Sequence, residues 1–166
     1  GAGLFELPTD ALLGKDVWEY LQLSDRIFDI SITPNRGDCL SVMGLAKEIS
    51  AITQSKLQPL KVPKLKTITE KKFPLEIKSP SECPRYAGRI IRNVKADAIT
   101  PIWMQERLRR SGMRCISPVV DVMNYVMLEL GQPMHAFDLS KIESGIVVRK
   151  AKKNEEGQKL ISNFLH

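Results

Sequence analysis

Apolar residues Val17, Trp18, Tyr20, Leu21 and Leu23 recur at short helical spacing after Gly14 and predict a brief helix. From Arg26 to Ile32 the period changes. Phe28, Ile30 and Ile32 alternate with Ile27, Asp29 and Ser31 in the manner of a half-buried strand. The turn formers Thr33-Pro34-Asn35-Arg36-Gly37-Asp38 follow, and Val42, Leu45, Ala46, Ile49 and Ile52 then return to a helical period. Asp38 or Ser41 is placed to cap that helix.

Gln58 to Lys72 breaks the pattern. Pro59, Pro63 and five lysines without an apolar period read as an exposed linker, although the same lysines suit contact with phosphates. Beyond it, Phe73 to Lys78 and Tyr86 to Val94 read as strands. Thr100-Pro101 opens a helix, with Thr as cap and Pro at the first helical position. That helix sends Ile102, Trp103, Leu108 and Met113 toward a core and ends near Gly112, while Glu106, Arg107, Arg109 and Arg110 occupy its other faces. Val119 to Leu130 is a second helical or mixed apolar segment closed by Gly131 and Pro133, and Ile146 to Arg149 reads as a strand. There is no internal repeat and no low-complexity tract. The fold class expected is α+β: a small helical lobe over residues 1–57, a linker over 58–72, and a mixed unit over 73–166 with a mixed or antiparallel sheet.

Composition narrows the function classes only a little. The 166 residues, 43% apolar and 27% charged, suit one soluble domain or two small lobes sharing a core. A formal charge of +6 suits a polyanion such as RNA, yet many proteins that bind no nucleic acid are as basic. Cys39, Cys83 and Cys115 form no C-x-x-C pair, which argues against a disulfide framework or a zinc knuckle and fits a reducing cytoplasm. Two histidines, His135 and His166, exclude a His-rich metal site. No apolar run approaches the roughly 20 residues that span a bilayer, and no signal peptide opens the chain, so a soluble cytoplasmic location without membrane contact is expected.

Common enzyme signatures are absent: no phosphate-binding glycine loop, no dinucleotide fingerprint, no H-E-x-x-H and no nucleophile elbow. The candidate chemistry lies between Arg114 and Asp138, where Arg114, Asp121, Asn124, Gln132, His135 and Asp138 interrupt a strongly apolar stretch. Polar groups in such surroundings need partners or a purpose. The plain account is a core helix and a turn, with Asp121 and Asn124 satisfying nearby backbone. The chemical account centres on His135, whose imidazole titrates near neutrality and can orient a water or donate to a developing oxyanion. A hydrogen-bonded turn residue is the alternative. Asp138 can orient that imidazole or cap the next segment.

Ile-Thr-Pro-Asn-Arg-Gly-Asp-Cys-Leu-Ser-Val (Ile32 to Val42) closely resembles a segment of the beta-subunit family of bacterial-type phenylalanyl-tRNA synthetases. Cys-Pro-Arg-Tyr-Ala-Gly-Arg (Cys83 to Arg89), the block from Trp103 to Arg114, the block from Val119 to Asp138, and Gly-Ile-Val-Val-Arg (Gly145 to Arg149) resemble the same family in the same order. The resemblance covers nearly the whole chain. It departs at Met123, where the family usually has Thr, and at Ser117-Pro118, which replaces a more polar pair.

The resemblance implies a cytoplasmic α2β2 ligase that charges tRNA(Phe) with phenylalanine, using ATP and magnesium held outside this segment. Partners would be the alpha subunit and tRNA(Phe), with no cofactor and no metal in this segment. Residues 4 to about 57 would be part of a small helical N-terminal domain. Residues from about 73 would be the first part of a B3/B4 editing module, which hydrolyses tRNA mischarged with tyrosine. By position, Arg114, Asn124 and His135 would line the editing pocket beside Gln132, Met134 and Ala136. Arg114 would hold the terminal phosphate or ribose, Asn124 the amino acid or ester carbonyl, and His135 the attacking water or the 3′ end. Arg107, Arg109 and Arg110 would contact RNA. The rest of the pocket is expected beyond His166, so the isolated chain is expected to be inactive. A second hydrolytic sieve makes physical sense, because a hydrophobic pocket rejects an added hydroxyl by only about 10². A non-catalytic tRNA-contacting segment and a purely structural one are the alternatives.

Overall fold

A computed structural model describes residues 3–4, 6–9, 11–66 and 71–152. Six regular elements occur there: helices α1 (Val17–Tyr20) and α2 (Val42–Thr53), strand β1 (Leu75–Ile77), helices α3 (Ile102–Arg110) and α4 (Pro118–Leu130), and strand β2 (Ile146–Val148). Pro34–Cys39 and Leu139–Lys141 form short 3₁₀ turns. The chain divides into two compact units, residues 1–61 with 95–136, and residues 62–94 with 137–166.

In the first unit, local rules set the helix ends. The Asp16 carboxylate accepts from the Trp18 amide at 2.7 Å and starts α1, which lasts only one turn. Ser41 caps α2 by accepting from the Gly44 amide at 3.0 Å. Of the two caps expected from sequence, Ser41 therefore does the work. Asp38 has another task, because the Arg36 guanidinium forks onto it at 3.1 and 2.9 Å. The same guanidinium reaches across to Glu48 of α2 at 3.0 and 2.6 Å, fastening the 3₁₀ turn to the helix. The turn lies so close to α2 that a Cβ on Gly44 would come within 1.8 Å of the Asp38 carbonyl oxygen. Only glycine fits there.

The core of this unit is small. Leu21, Cys39, Met104 and Leu108 are its buried apolar side chains, and Leu108 alone among them is completely enclosed. Met104 and Leu108 lie one turn apart on α3, so they form its inner stripe. Trp103, expected in the core, sits on the outer flank and is 39% exposed. It meets Tyr125 of α4 edge-on, with ring centroids 5.3 Å apart. Thr100, expected to cap α3, forms no cap hydrogen bond, because its buried hydroxyl is turned to Asp121 instead.

The second unit holds the sheet. β1 and β2 pair in parallel, in the register Leu75 to Ile146, Glu76 to Val147 and Ile77 to Val148. The mixed or antiparallel arrangement expected from sequence is replaced by this single parallel pair among the described residues. Its strands are joined through a long connection, not a hairpin, which permits the parallel sense. Gly145, at φ +142°, passes so close to Pro74 that a Cβ would lie 2.7 Å from its carbonyl oxygen. The Lys150 amide donates to the Ser79 hydroxyl at 3.1 Å, and the Lys150 ammonium pairs with Glu82.

The stretches Arg26 to Ile32 and Tyr86 to Val94, expected as strands, carry no ladder. Alternation favours an extended backbone, but a strand also needs a neighbour to accept its hydrogen bonds, and none pairs with either stretch among the described residues.

The Arg36 fork gives acid stability a specific source. Its hydrogen bonds hold Asp38 down at about 2 and lower Glu48 as well. Carboxylates depressed in the folded state stabilise it above their unfolded values, and that stability is lost as pH falls through the folded values. Stability of this unit should therefore rise with pH between about 2 and 3.8, the ordinary aspartate value. Denaturant unfolding across that range checks it: Arg36→Met should flatten the slope, and an unchanged slope would contradict the assignment.

Candidate functional site

Helix α4 organises the residues singled out between Arg114 and Asp138. Ser117 starts it, accepting a long hydrogen bond of 3.5 Å from the Val120 amide, and Pro118 takes the first helical position. Gly131 ends it in the left-handed conformation at φ +78°, its amide bonded to Met127 O at 2.8 Å. Gly131 also lies against α2, since a Cβ there would come within 3.1 Å of Ser41 Oγ. One residue thus closes α4 and admits its neighbour.

Arg114 precedes this helix and is exposed, Asn124 lies within it and is half-buried, and Gln132, Met134, His135 and Ala136 are exposed in the segment that leaves Gly131. A 13-residue helix is roughly 20 Å long, so Arg114 and His135 flank its two ends. No hydrogen bond joins Arg114, Asn124 and His135. The Arg114 guanidinium and the Asn124 amide make no side-chain hydrogen bond to any described residue. The three are thus spread over the approach to α4, the helix itself and the segment after it, with no hydrogen bond among them. Gln132 donates to Pro133 O at 3.3 Å. The Asp138 carboxylate accepts from the Ser140 amide at 3.0 Å and its hydroxyl at 2.7 Å, so Asp138 caps the 3₁₀ turn after it, and those bonds hold it below the usual carboxylate range.

The first turn of α4 carries a buried carboxyl. Asp121, only 1% exposed, accepts from the Thr100 hydroxyl at 2.5 Å and from the Ile116 amide at 2.8 Å. Burial, then the neighbouring Asp121, pushes the Cys115 thiol up. No lysine or arginine among the described residues pairs with Asp121. Its compensation comes from neutral donors and from its place in the first turn of α4, at the positive end of the helix dipole. Sequence reasoning marked Asp121 as a polar intruder satisfied by nearby backbone. It missed Thr100, whose partnership no local spacing signals.

Each of the three arginines expected to meet RNA is engaged within the chain. Arg107 stacks over Trp103 and Tyr125, at 5.4 and 5.9 Å from their centroids, and donates to the Tyr125 hydroxyl at 2.6 Å. Arg109 forks onto Glu106 at 3.1 and 2.7 Å, which lowers that carboxyl and raises the guanidinium. Arg110 is the most enclosed, its side chain 10% exposed. It donates to Leu21 O at 2.9 Å, Gln22 O at 2.8 Å and Asp25 at 3.0 Å, fastening α3 to the chain that follows α1.

Two shallow cavities, of about 210 and 250 Å³, lie beside α2 and are lined by Asp38, Arg36 and Glu48 among others. None of the candidate residues lines them. No three His, Cys, Asp or Glu side chains among the described residues converge as a metal site. No helix of the described residues is long and apolar enough to cross a membrane.

Residues 82–163 match the B3/4 domain family. The chain is 57% identical over 157 residues to the phenylalanine–tRNA ligase beta subunit of Coxiella burnetii, covering 93% of this chain and 19% of that protein. The chain is similar to bacterial phenylalanine–tRNA ligase beta subunits. Those of Pseudoalteromonas translucida and Dickeya dadantii are each 51% identical to it, over 94% and 93% of this chain and 20% and 19% of their own length. The chain thus spans about a fifth of the curated relatives it matches. The resemblance read from Ile32 to Arg149 is in agreement with these matches.

Among the three arginines, Arg110 separates packing from RNA contact most sharply. Arg110→Ala removes the donor to the Leu21 and Gln22 carbonyls and to the Asp25 carboxylate and should cost about 1–3 kcal/mol of stability. Thermal unfolding checks it. An unchanged melting temperature together with weakened tRNA binding would make Arg110 an RNA contact instead.

Proposed function

We propose that this chain acts as a segment of a phenylalanine–tRNA ligase beta subunit and contributes to hydrolysis of tyrosine mischarged onto tRNA(Phe). The observation that carries this reading is the pair of unspent polar groups on α4 and its approach: the Asn124 amide and the Arg114 guanidinium, neither bonded to a described residue. Arg114 is exposed and Asn124 half-buried, so both remain available to a ligand. Family resemblance gives them their ligand. The intact α2β2 enzyme would charge tRNA(Phe) with phenylalanine, with ATP and magnesium handled elsewhere, and residues from about 73 onward would form the first part of its editing module.

In this reading the aminoacylated 3′ end lies along α4. Arg114 holds the terminal phosphate or ribose, Asn124 hydrogen-bonds the amino acid or the ester carbonyl, and His135 positions the attacking water, with Gln132, Met134 and Ala136 beside it. Water adds to the ester carbonyl, and the bond from that carbon to the ribose oxygen breaks. The water's proton ends on the ribose oxygen, releasing tyrosine and uncharged tRNA. Such a sieve corrects the weak discrimination of a phenylalanine pocket against one extra hydroxyl.

A scaffold role without hydrolysis is favoured by a different observation: Val42, Ile49 and Ile52 of α2 are 65%, 55% and 72% exposed. Deacylation of tyrosyl-tRNA(Phe) by a ligase whose beta subunit carries this segment separates the two. His135→Ala should slow deacylation by about 10²-fold and Arg114→Ala by about tenfold, with phenylalanine charging unchanged. Deacylation untouched by both substitutions would overturn the editing reading and leave the scaffold.

A further inference from the structure

We propose that Asp121 is a positioning residue for the editing reaction, holding the backbone that carries Arg114 in register with the helix that carries Asn124; the proposal rests on the editing reading above. Residues between α3 and α4 have few bonds of their own. The Gly112 amide turns back to Arg109 O at 3.0 Å and the Met113 amide to Leu108 O at 2.9 Å, which fixes the loop to the end of α3. The next backbone tie is the Ile116 amide, which donates to Asp121 Oδ1 at 2.8 Å. Arg114 and Cys115 are therefore suspended between two ties, one on α3 and one on Asp121. The Arg114 side chain makes no hydrogen bond to a described residue, so these backbone ties are the polar contacts that place it.

Asp121 is equipped to hold its end rigidly. It stands one turn before Asn124 on α4, and its side chain reaches back past the cap Ser117 to the residue before it. That is the reciprocal logic of a capping box displaced by one position. Its second oxygen takes the Thr100 hydroxyl at 2.5 Å, so the segment entering α3 also sets the carboxyl's angle. Both oxygens are occupied and the group is nearly fully enclosed, which leaves it little rotational freedom. One buried carboxyl thus joins the approach to α3, the Arg114 loop and the first turn of α4.

Displacement of a substrate-holding group by about 1 Å can cost about 10²-fold in rate. In a ligase carrying this segment, Asp121→Ala should lower kcat/KM for tyrosyl-tRNA(Phe) deacylation by about tenfold or more and leave phenylalanine charging unchanged. Asp121→Asn retains an oxygen for the Ile116 amide and should restore most of the loss. In an Arg114→Ala background, Asp121→Ala should add little, because its effect passes through Arg114. Full additivity of the two substitutions, failure of the Asn variant to rescue, or an equal loss of charging would overturn the proposal. If Arg114→Ala slows deacylation and Asp121→Ala does not, only the positioning role fails. If Arg114→Ala itself has no effect, the editing role of Arg114 fails and the positioning proposal falls with it.

Discussion

Burying a carboxyl without a cation beside it is expensive unless every lone pair that matters is met, and Asp121 meets that condition with a hydroxyl, a backbone amide and the first turn of a helix. Two of these are local, but Thr100 lies 21 residues away, so the condition is met only when the segment entering α3 is packed against the start of α4. With only four apolar side chains buried among the described residues, a polar constraint of this kind carries an unusual share of the specification of the α3–α4 pair. Apolar contacts tolerate small shifts. A doubly bonded carboxyl does not.

The Arg36 fork plays the matching part on α2. It spans Asp38 and Glu48 and presses the 3₁₀ turn so near the helix that only glycine is tolerated at position 44. Ser41 then serves twice, as the cap of α2 and as the surface that receives Gly131. Through that contact the end of α4 is placed, and with it the start of the segment bearing Gln132, Met134 and His135. The two polar devices therefore bear on opposite ends of α4, the helix along which the candidate site is strung.

What the sequence made legible follows a physical division. Helices α2 and α4 declare themselves by period, α2 also by its Ser41 cap and α4 by the closing Gly131, because those signals act within a few residues. Strands fared otherwise. Phe73 to Lys78 and Ile146 to Arg149 contain the observed pair, but Arg26 to Ile32 and Tyr86 to Val94 do not form ladders, since alternation says nothing about whether a partner edge is present. Thr100 looked like a cap and serves a distant carboxyl instead. Arg110, read from the resemblance as an RNA contact, also holds carbonyls of the chain that follows α1. In both cases a side chain with ordinary local use was claimed by a long-range partner. Arg114, Asn124 and His135 stood out as polar residues in an apolar stretch and took their roles from the resemblance to the ligase family; of the three, only Asn124 lies on α4.

The most direct test of the central claim is hydrogen exchange at the Ile116 amide. In the unmodified chain it should be protected to a degree close to that of the interior amides of α4. In Asp121→Ala it should exchange far faster, while the later turns of α4 keep their protection. Equal protection in both proteins would show that the Ile116 backbone is held by something other than Asp121, and the account built on that carboxyl would be wrong.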